Sequence, residues 1–363
     1  MKSQLQRRNR RWLRELGGFA LAGSACALAG TAHAQSSVQL YGIVDMWAGV
    51  QKLPSQASAA VAAGNGMSTS FWGLGGKEDL GGGLQTVFAI EGFFRPNNGA
   101  VGSFDGDPMF SRNAYVGLQS STYGALTFGR QSSPLYLQST LFNPFYASFT
   151  FSPTVNHLYG GVGTYPAFKT DQGVFGGTAW ANAIQFATPD FNGLTGKAIY
   201  AFGNTAGENG SRKWSAQMAY THGAWSISGV YQYLNFSSTP GDLAHFIAGE
   251  KSQSVAEIAT WYDFGFVKLY GEYTWTGNDR TADSFHVNSY QAGAAVPVGL
   301  GRVLASWGYS RNAGGLDLTR QTATIGYDYP LSKRTDLYAN YMYDHLTNTS
   351  SGYTTGVGLR TRF

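Results

Sequence analysis

Cysteine is almost missing from this chain: there is one, Cys26, in 363 residues. It lies within the first 34 residues, so the rest of the chain can form neither a disulfide nor a cysteine-ligated metal centre. Charge is also scarce. Asp, Glu, Lys and Arg make up 13% of the chain, where about 25% is usual. A disordered or polyionic protein needs more charge than this. No run of about 18 apolar residues occurs, which excludes a bundle of membrane-spanning helices. The common catalytic signatures are missing too. There is no G-x-S-x-G. The histidines at 33, 157, 222, 245, 286 and 345 include no i, i+4 pair to hold zinc. Gly73-Leu74-Gly75-Gly76-Lys77 has the wrong spacing for a phosphate-binding loop, and Glu78 follows the lysine. No metal or cofactor is expected, and no enzyme.

The formal net charge of +4 comes from the N-terminus. Lys2, Arg7, Arg8, Arg10, Arg11 and Arg14 face Glu15 alone, and the remaining chain holds 19 basic and 20 acidic residues. Nucleic acid is therefore not an expected partner. The basic segment is followed by the short, small-residue apolar stretch Gly17–Gly30 and then by Ala32-His33-Ala34. That order predicts a cleaved secretory signal peptide at 1–34, leaving 35–363 as the mature protein.

What the chain has in abundance is glycine, 49 residues, and aromatics, 15% with 22 Tyr. From Val38 onward the dominant pattern has period two. Val38, Leu40, Gly42, Val44 and Met46 alternate with Gln39, Tyr41, Ile43, Asp45 and Trp47; Leu337, Ala339, Tyr341 and Tyr343 alternate with Asp336, Tyr338, Asn340, Met342 and Asp344. Alternate residues of a strand face opposite sides. Sixteen strands are predicted, at roughly 38–50, 68–77, 84–94, 111–118, 124–130, 182–188, 194–203, 213–221, 225–234, 253–262, 266–275, 287–296, 301–311, 320–329, 335–345 and 353–363. Tight turns such as His222-Gly223-Ala224 alternate with longer polar segments such as 235–252. Short turns at one end and long loops at the other predict an all-β, 16-stranded antiparallel transmembrane barrel. Closure is required, because unpaired edge groups find no water in a bilayer. One segment, about 131–181, breaks the rhythm, and a loop that long is expected to be functional.

Several stretches now read as a family. Ser37-Val38-Gln39-Leu40-Tyr41-Gly42-Ile43-Val44-Asp45 resembles the opening strand of Gram-negative general-diffusion porins, particularly the beta-proteobacterial type. Lys77-Glu78-Asp79-Leu80-Gly81-Gly82-Gly83-Leu84, Arg112-Asn113-Ala114-Tyr115-Val116-Gly117-Leu118, Gly129-Arg130-Gln131, Leu331-Ser332-Lys333-Arg334-Thr335 and Val357-Gly358-Leu359-Arg360-Thr361-Arg362-Phe363 extend the resemblance over nearly the whole mature chain. It implies a homotrimer in the outer membrane of a Gram-negative bacterium, with loop three folded into each pore. It also implies passive diffusion of ions and small hydrophilic solutes. The surrounding lipid and the barrel-assembly machinery are the further partners, the latter reading the terminal aromatic Phe363.

Strand parity places Asp45, Phe71, Lys77 and Glu91 on the lumen side. By resemblance, Arg112 is one of the wall arginines that face acids on loop three, and Arg130 holds the entrance to that loop. Phe71 stands where the family usually has Arg. Asn143-Pro144-Phe145 stands where loop three often has Asp-Pro-Phe, and no Asp or Glu occurs from Gln131 to Thr170. Aromatics replace them, among them Tyr136, Phe142 and Phe145. They are expected either to pack the loop against the wall or to line the constriction. The thinned charges predict weak ionic selectivity. The alternatives are a substrate-specific channel with an aromatic-lined constriction, an outer-membrane enzyme with a Ser or Asp–His pair on its outer loops, or a non-conducting adhesin.

Overall fold

Alternation of apolar and polar residues commits each segment to a sheet with two unlike faces, and the chain satisfies both by closing on itself. A computed structural model describes residues 37–160, 173–204, 212–236, 249–281, 284–314 and 317–363; the expected signal peptide lies outside them. The strands are β1 Ser37–Lys52, β2 Ala59–Gly64, β3 Phe71–Gly81, β4 Leu84–Arg95, β5 Ala100–Val101, β6 Asn113–Ser120, β7 Gly124–Ser132, β8 Ala179–Ala187, β9 Leu194–Ala201, β10 Lys213–His222, β11 Trp225–Asn235, β12 Glu250–Asp263, β13 Lys268–Arg280, β14 Ser284–Val298, β15 Gly301–Ala313, β16 Thr319–Pro330, β17 Thr335–Leu346 and β18 Gly352–Arg362. Each long strand pairs antiparallel with its sequence neighbour, and β1 pairs with β18 in the register Ile43↔Arg362. Leaving aside the short β2 and β5, this is a closed barrel of 16 strands.

The faces are inverted relative to a soluble protein. Leu40, Val116, Phe128, Met218, Ile258, Ile325 and Val357 are exposed on the outside, while Gln232, Glu257, Thr274, Asn312 and Thr322 are buried within. Aromatic rings cluster on the outer face. Tyr262, Phe264 and Phe266 adjoin at one turn, and Tyr273, Tyr290, Tyr309 and Trp307 form a row across β13, β14 and β15. Such rings suit the interface between lipid and water. The β10–β11 turn shows why glycine punctuates this end. Gly223 has φ +59°, the left-handed backbone that a two-residue hairpin demands and that a Cβ disfavours.

Besides the two-residue β5, sequence and structure differ in two places. The second lane of the barrel is split: β2 and β3 both pair with β1, at Met46↔Gly64 and at Ile43↔Phe71, and residues 65–70 leave the sheet between them. Ala59-Ala60-Val61-Ala62-Ala63-Gly64 carries no alternation, so its strand was not legible. The long irregular segment also holds two helices, α1 Pro134–Leu141 and α2 Pro153–Leu158. Ser133 and Ser152 cap them, each accepting a backbone N–H, with proline at the first helical position.

Candidate functional site

Loop three lies inside the barrel, and its polar side chains are spent on the inner wall. On α1, the Gln138 amide oxygen accepts from Gln217 at 3.1 Å and from the Ser228 hydroxyl, while its nitrogen donates to the Glu257 carbonyl at 3.3 Å. On α2, Thr154 donates to Glu272 at 2.7 Å. Arg320 donates to the Asn156 carbonyl at 2.9 Å and forks onto Asp344 at 2.9 and 2.8 Å. Between the helices, the Tyr146 hydroxyl accepts from Arg302 at 3.2 Å. The wall makes room with glycine. A Cβ on Gly308 would sit 2.9 Å from the Cβ of Pro153, and one on Gly293 would sit 2.6 Å from the Cδ of Pro144. The loop then crosses to the opposite wall. There Thr150 donates to the Asn65 carbonyl at 2.9 Å and Phe151 meets Trp47 edge-on, ring centres 5.4 Å apart.

His157 is the centre of the α2 anchorage. Its Nε2 lies 2.8 Å from Thr322 Oγ1 and its Nδ1 lies 2.6 Å from Ser310 Oγ. Thr322 gives its single hydroxyl proton to Asp344 at 2.7 Å, so it accepts from His157, and Nε2 carries the ring proton. Nδ1 then accepts from Ser310, which leaves Ser289 to donate to Ser310 at 2.8 Å. Burial pushes the imidazole down to about 3; the Arg320 charge adds to that and the Asp344 charge opposes it. The ring is neutral at physiological pH. This is a serine–histidine pair, yet Ser310 is 1% exposed, and its only visible work is to hold the loop.

The free side of loop three faces the wall of β1, β3, β4 and the start of β6. Glu91 is the hub of that wall. It receives Tyr41 at 2.6 Å, Asn113 and an ion pair from Arg112. The Arg112 guanidinium lies over the Phe71 ring at 4.1 Å, a cation–π seat. Opposite, Tyr136, Phe149 and Tyr159 are half-buried, and Tyr136 meets each of the other two, with ring centres 5.4 Å apart for Tyr136–Tyr159 and 6.4 Å for Tyr136–Phe149. Burial pushes the Tyr136 phenol up to about 12, and the field of Arg112 acts against that. The phenol stays neutral. The loop side of this section therefore carries half-buried aromatic rings, and the wall side carries one guanidinium, matched by Glu91 and seated over the buried Phe71 ring.

The predicted residues divide accordingly. Phe71, Glu91, Arg112 and Tyr136 come together at this section. Lys77 faces inward nearer the turn end and donates to the Gln119 amide at 3.2 Å. Asp45 also faces inward, but the expectation of a water-lined wall residue is corrected: it is 0% exposed. It accepts from the backbone of Gly66, Met67 and Ser68 and from the Tyr338 hydroxyl, so it clamps residues 65–70. Arg130 holds the Ser111 carbonyl and shares strand parity with outward Phe128, a tether rather than a pore group. Asn143 is likewise no pore group. It is buried, donating to the carbonyls of Ser139 and Tyr146 and accepting from Phe145 N–H and Ser152, which knots the chain between the helices. Phe142 and Phe145 are buried, so these two pack the loop. Phe363 is exposed on the outer face at the seam, exchanging backbone hydrogen bonds with Gly42 and resting its ring where a Cβ of Gly42 would be.

Inward parity also marks residues not singled out from the sequence. Lys197 on β9 faces the lumen beside Gln217, with no carboxylate partner among the described residues. Glu257 and Glu272 face inward beneath loop three and are buried. Period two alone could have identified all three; what it lacked was the loop that covers two of them.

The comparisons with known proteins agree with this architecture. The family model described as Gram-negative porin matches residues 20–349. The chain is 32% identical to outer membrane porin protein 32 of Delftia acidovorans, over 88% of this chain and 87% of that one. It is 29% identical to an outer membrane porin protein of Bordetella pertussis, over 92% of this chain and 96% of that one. Among solved structures, it is similar to the anion-selective porin from Comamonas acidovorans, with TM-score 0.76 and 26% identity, covering 91% of this chain and 100% of that one.

Proposed function

The chain belongs to the Gram-negative porin family, and from that premise we propose how this member discriminates among solutes. The protein is an outer-membrane channel for passive diffusion of ions and small hydrophilic solutes. Its charge preference is weak and anionic. The observation that carries this is the distribution of lumen charge. Loop three, acid-free from Gln131 to Thr170, covers Glu257 and Glu272, Arg112 is matched by Glu91, and Lys77 and Lys197 have no carboxylate partner among the described residues. Two unit charges about 4 Å apart interact by about 4 kcal/mol at an effective dielectric near 20. A paired guanidinium is therefore closer to a dipole than to a free charge, and two isolated lysines set the sign. The half-buried rings of Tyr136, Phe149 and Tyr159 add brief stacking contacts for flat solutes. Reversal potentials across a salt gradient test the reading. Wild type should favour anions modestly, and Lys77→Gln with Lys197→Gln should bring the potential to near zero. Cation preference in wild type would overturn it.

The same reading includes export with cleavage after Ala34, tested by finding Gln35 at the N-terminus of the outer-membrane protein by mass spectrometry. It also includes a homotrimer. The support is an outward groove lined by small and apolar residues, among them Ala48, Ala62, Ala339 and Val357, suited to close packing against a second copy. Lipid surrounds the remaining outer face, and the barrel-assembly machinery reads Phe363. No catalytic role is assigned, since the Ser310–His157 pair is sealed from the lumen.

A further inference from the structure

The outer face of β13 to β16 grades from apolar to polar toward the long-loop end. Trp307 of β15 stands opposite Ala292 and Ala323. Two residues further along, Tyr309 stands opposite Tyr290 and Gln321, and Tyr290 stands opposite Tyr273. Two residues beyond that, Arg311 stands opposite Asn288 and Thr319. Steps of two keep all of these on the outward side, and Trp307, Tyr290, Arg311 and Gln321 are exposed there. Counted from the short turn Gly299-Leu300, Tyr309 and Tyr290 are each the ninth residue of their strands, and Arg311 and Asn288 are each the eleventh. A strand crosses a bilayer in about 9–11 residues. The tyrosines therefore sit at the boundary between lipid and water, and Arg311 sits among the headgroups.

No acid answers Arg311. Among the described residues it forms no ion pair. Asp279 of β13 takes the Ser284 hydroxyl at 3.2 Å instead, and Asp317, in the loop after β15, does not pair with it. Its neighbours on the sheet offer donors. The Asn288 amide oxygen accepts from the Tyr273 hydroxyl at 2.8 Å. That bond turns the two N–H groups of the amide away from the tyrosine, and they meet no acceptor among the described residues. Gln321 lies on the diagonal from Arg311, a spacing that long side chains bridge. Three donor side chains on three adjacent strands thus share one patch, and its one formal charge is positive.

We propose that Arg311, with Asn288 and Gln321, binds the phosphate of a lipid headgroup in the outer leaflet. The proposal rests on the lipid-facing outer wall assigned above. The long loops of such barrels face the cell exterior, which makes the leaflet the outer one. A guanidinium is planar and forks onto two phosphate oxygens, a match that an ammonium lacks. The two amides donate to the remaining oxygens or to headgroup hydroxyls. The acyl chains then run down the wall over Tyr309, Trp307 and Ile325. The groove assigned to a second copy is lined from β1, β2, β17 and β18, with Tyr327 and Tyr329 near the short-turn end of β16. Arg311 lies at the other end of β15, so lipid and second copy do not compete.

The test is native mass spectrometry of the folded mature chain in detergent, titrated with a phosphorylated glycolipid, lipid A, and with the same lipid stripped of its phosphates. Wild type should hold the phosphorylated lipid more tightly. Arg311→Gln should reduce that preference by about fivefold, the weight of one basic residue at an anionic membrane surface. Asn288→Leu, with Arg311 in place, should reduce it by about threefold, the share of one hydrogen bond. Lys333→Gln removes an exposed cation from a short turn at the opposite end of the barrel and should leave the preference unchanged. The first two variants alter only outward side chains, so their single-channel conductance should equal that of wild type, which separates this proposal from the reading of the pore. Equal binding of the two lipids by wild type overturns the proposal. So does a preference that Arg311→Gln retains, and so does one that Lys333→Gln reduces equally, since diffuse charge would then be its cause. Loss of the trimer in Arg311→Gln also overturns it, since Arg311 would then hold a second copy of the chain.

Discussion

Acidification should loosen loop three through His157, and replacing that residue by glutamine should remove the effect. In the docked loop the imidazole titrates near 3, while a free histidine titrates near 6.5. The undocked loop therefore binds a proton that the docked loop refuses. Docking is at full strength above about pH 6.5, weakens as pH falls toward 3, and loses nothing more on this account below that. Each pH unit inside the window costs about 1.4 kcal/mol, so docking at pH 5 is weaker by about 2 kcal/mol. The charged groups facing the ring are Arg320 and Asp344, fastened to each other, and Glu272 lies nearby on the other side of a small cavity behind α2. Asp344 gives no relief, because its carboxylate is already committed to Arg320 and Thr322. Proteolysis of folded protein within loop three, followed between pH 7 and pH 4, measures the exposure of the loop directly. Wild type should become more susceptible below pH 6.5, by about tenfold per unit if opening is limiting. His157→Gln keeps a donor and an acceptor for Thr322 and Ser310 and should give a flat profile. A slope unchanged in the variant, or no slope in wild type, would refute the reasoning.

Other outcomes follow from the same contacts. Phe71→Arg removes the ring beneath Arg112 and brings a second cation to Glu91, so reversal potentials should shift toward anions; no shift would mean that this section does not control permeation. Gly308→Val places methyl groups where Pro153 packs and should displace α2, raising single-channel conductance and slowing assembly, both readable in planar bilayers and on heat-modifiable gels. Deleting Phe363, or changing it to Lys, should leave translocated but unassembled protein in the periplasm. A charge in the lipid-facing band costs about 2–4 kcal/mol at the midplane and less near the interface, so the lysine variant should assemble poorly rather than not at all.

Much of the barrel was legible from residue order. Period two with scarce charge fixes which side chains share a face, and the alternation of turns with long loops fixes antiparallel order. Closure then follows, because a bilayer tolerates no open edge. Lys77 and Glu91 were expected to face inward by parity, and Arg112 by resemblance. Ala59–Gly64 escaped notice because alanine and glycine carry no alternation. The two helices of loop three escaped because their only marks are Ser133-Pro134 and Ser152-Pro153, caps on helices of 8 and 6 residues.

Parity states which way a side chain points; it does not state what will be folded over it. Asp45 and Asn143 illustrate the limit. One points inward as its strand requires and is then covered by residues 65–70, and the other sits in a loop whose path no period describes. The paired state of Arg112, the tautomer of His157 and the isolation of Glu257 and Glu272 depend on groups far apart in sequence, such as Thr154 with Glu272 and His157 with Thr322. Local chemistry along the chain determined the barrel and its two faces. Which lumen charges meet water and which lie under loop three was decided only by tertiary packing, because the loop's hydrogen bonds are satisfied by strands far from it in sequence.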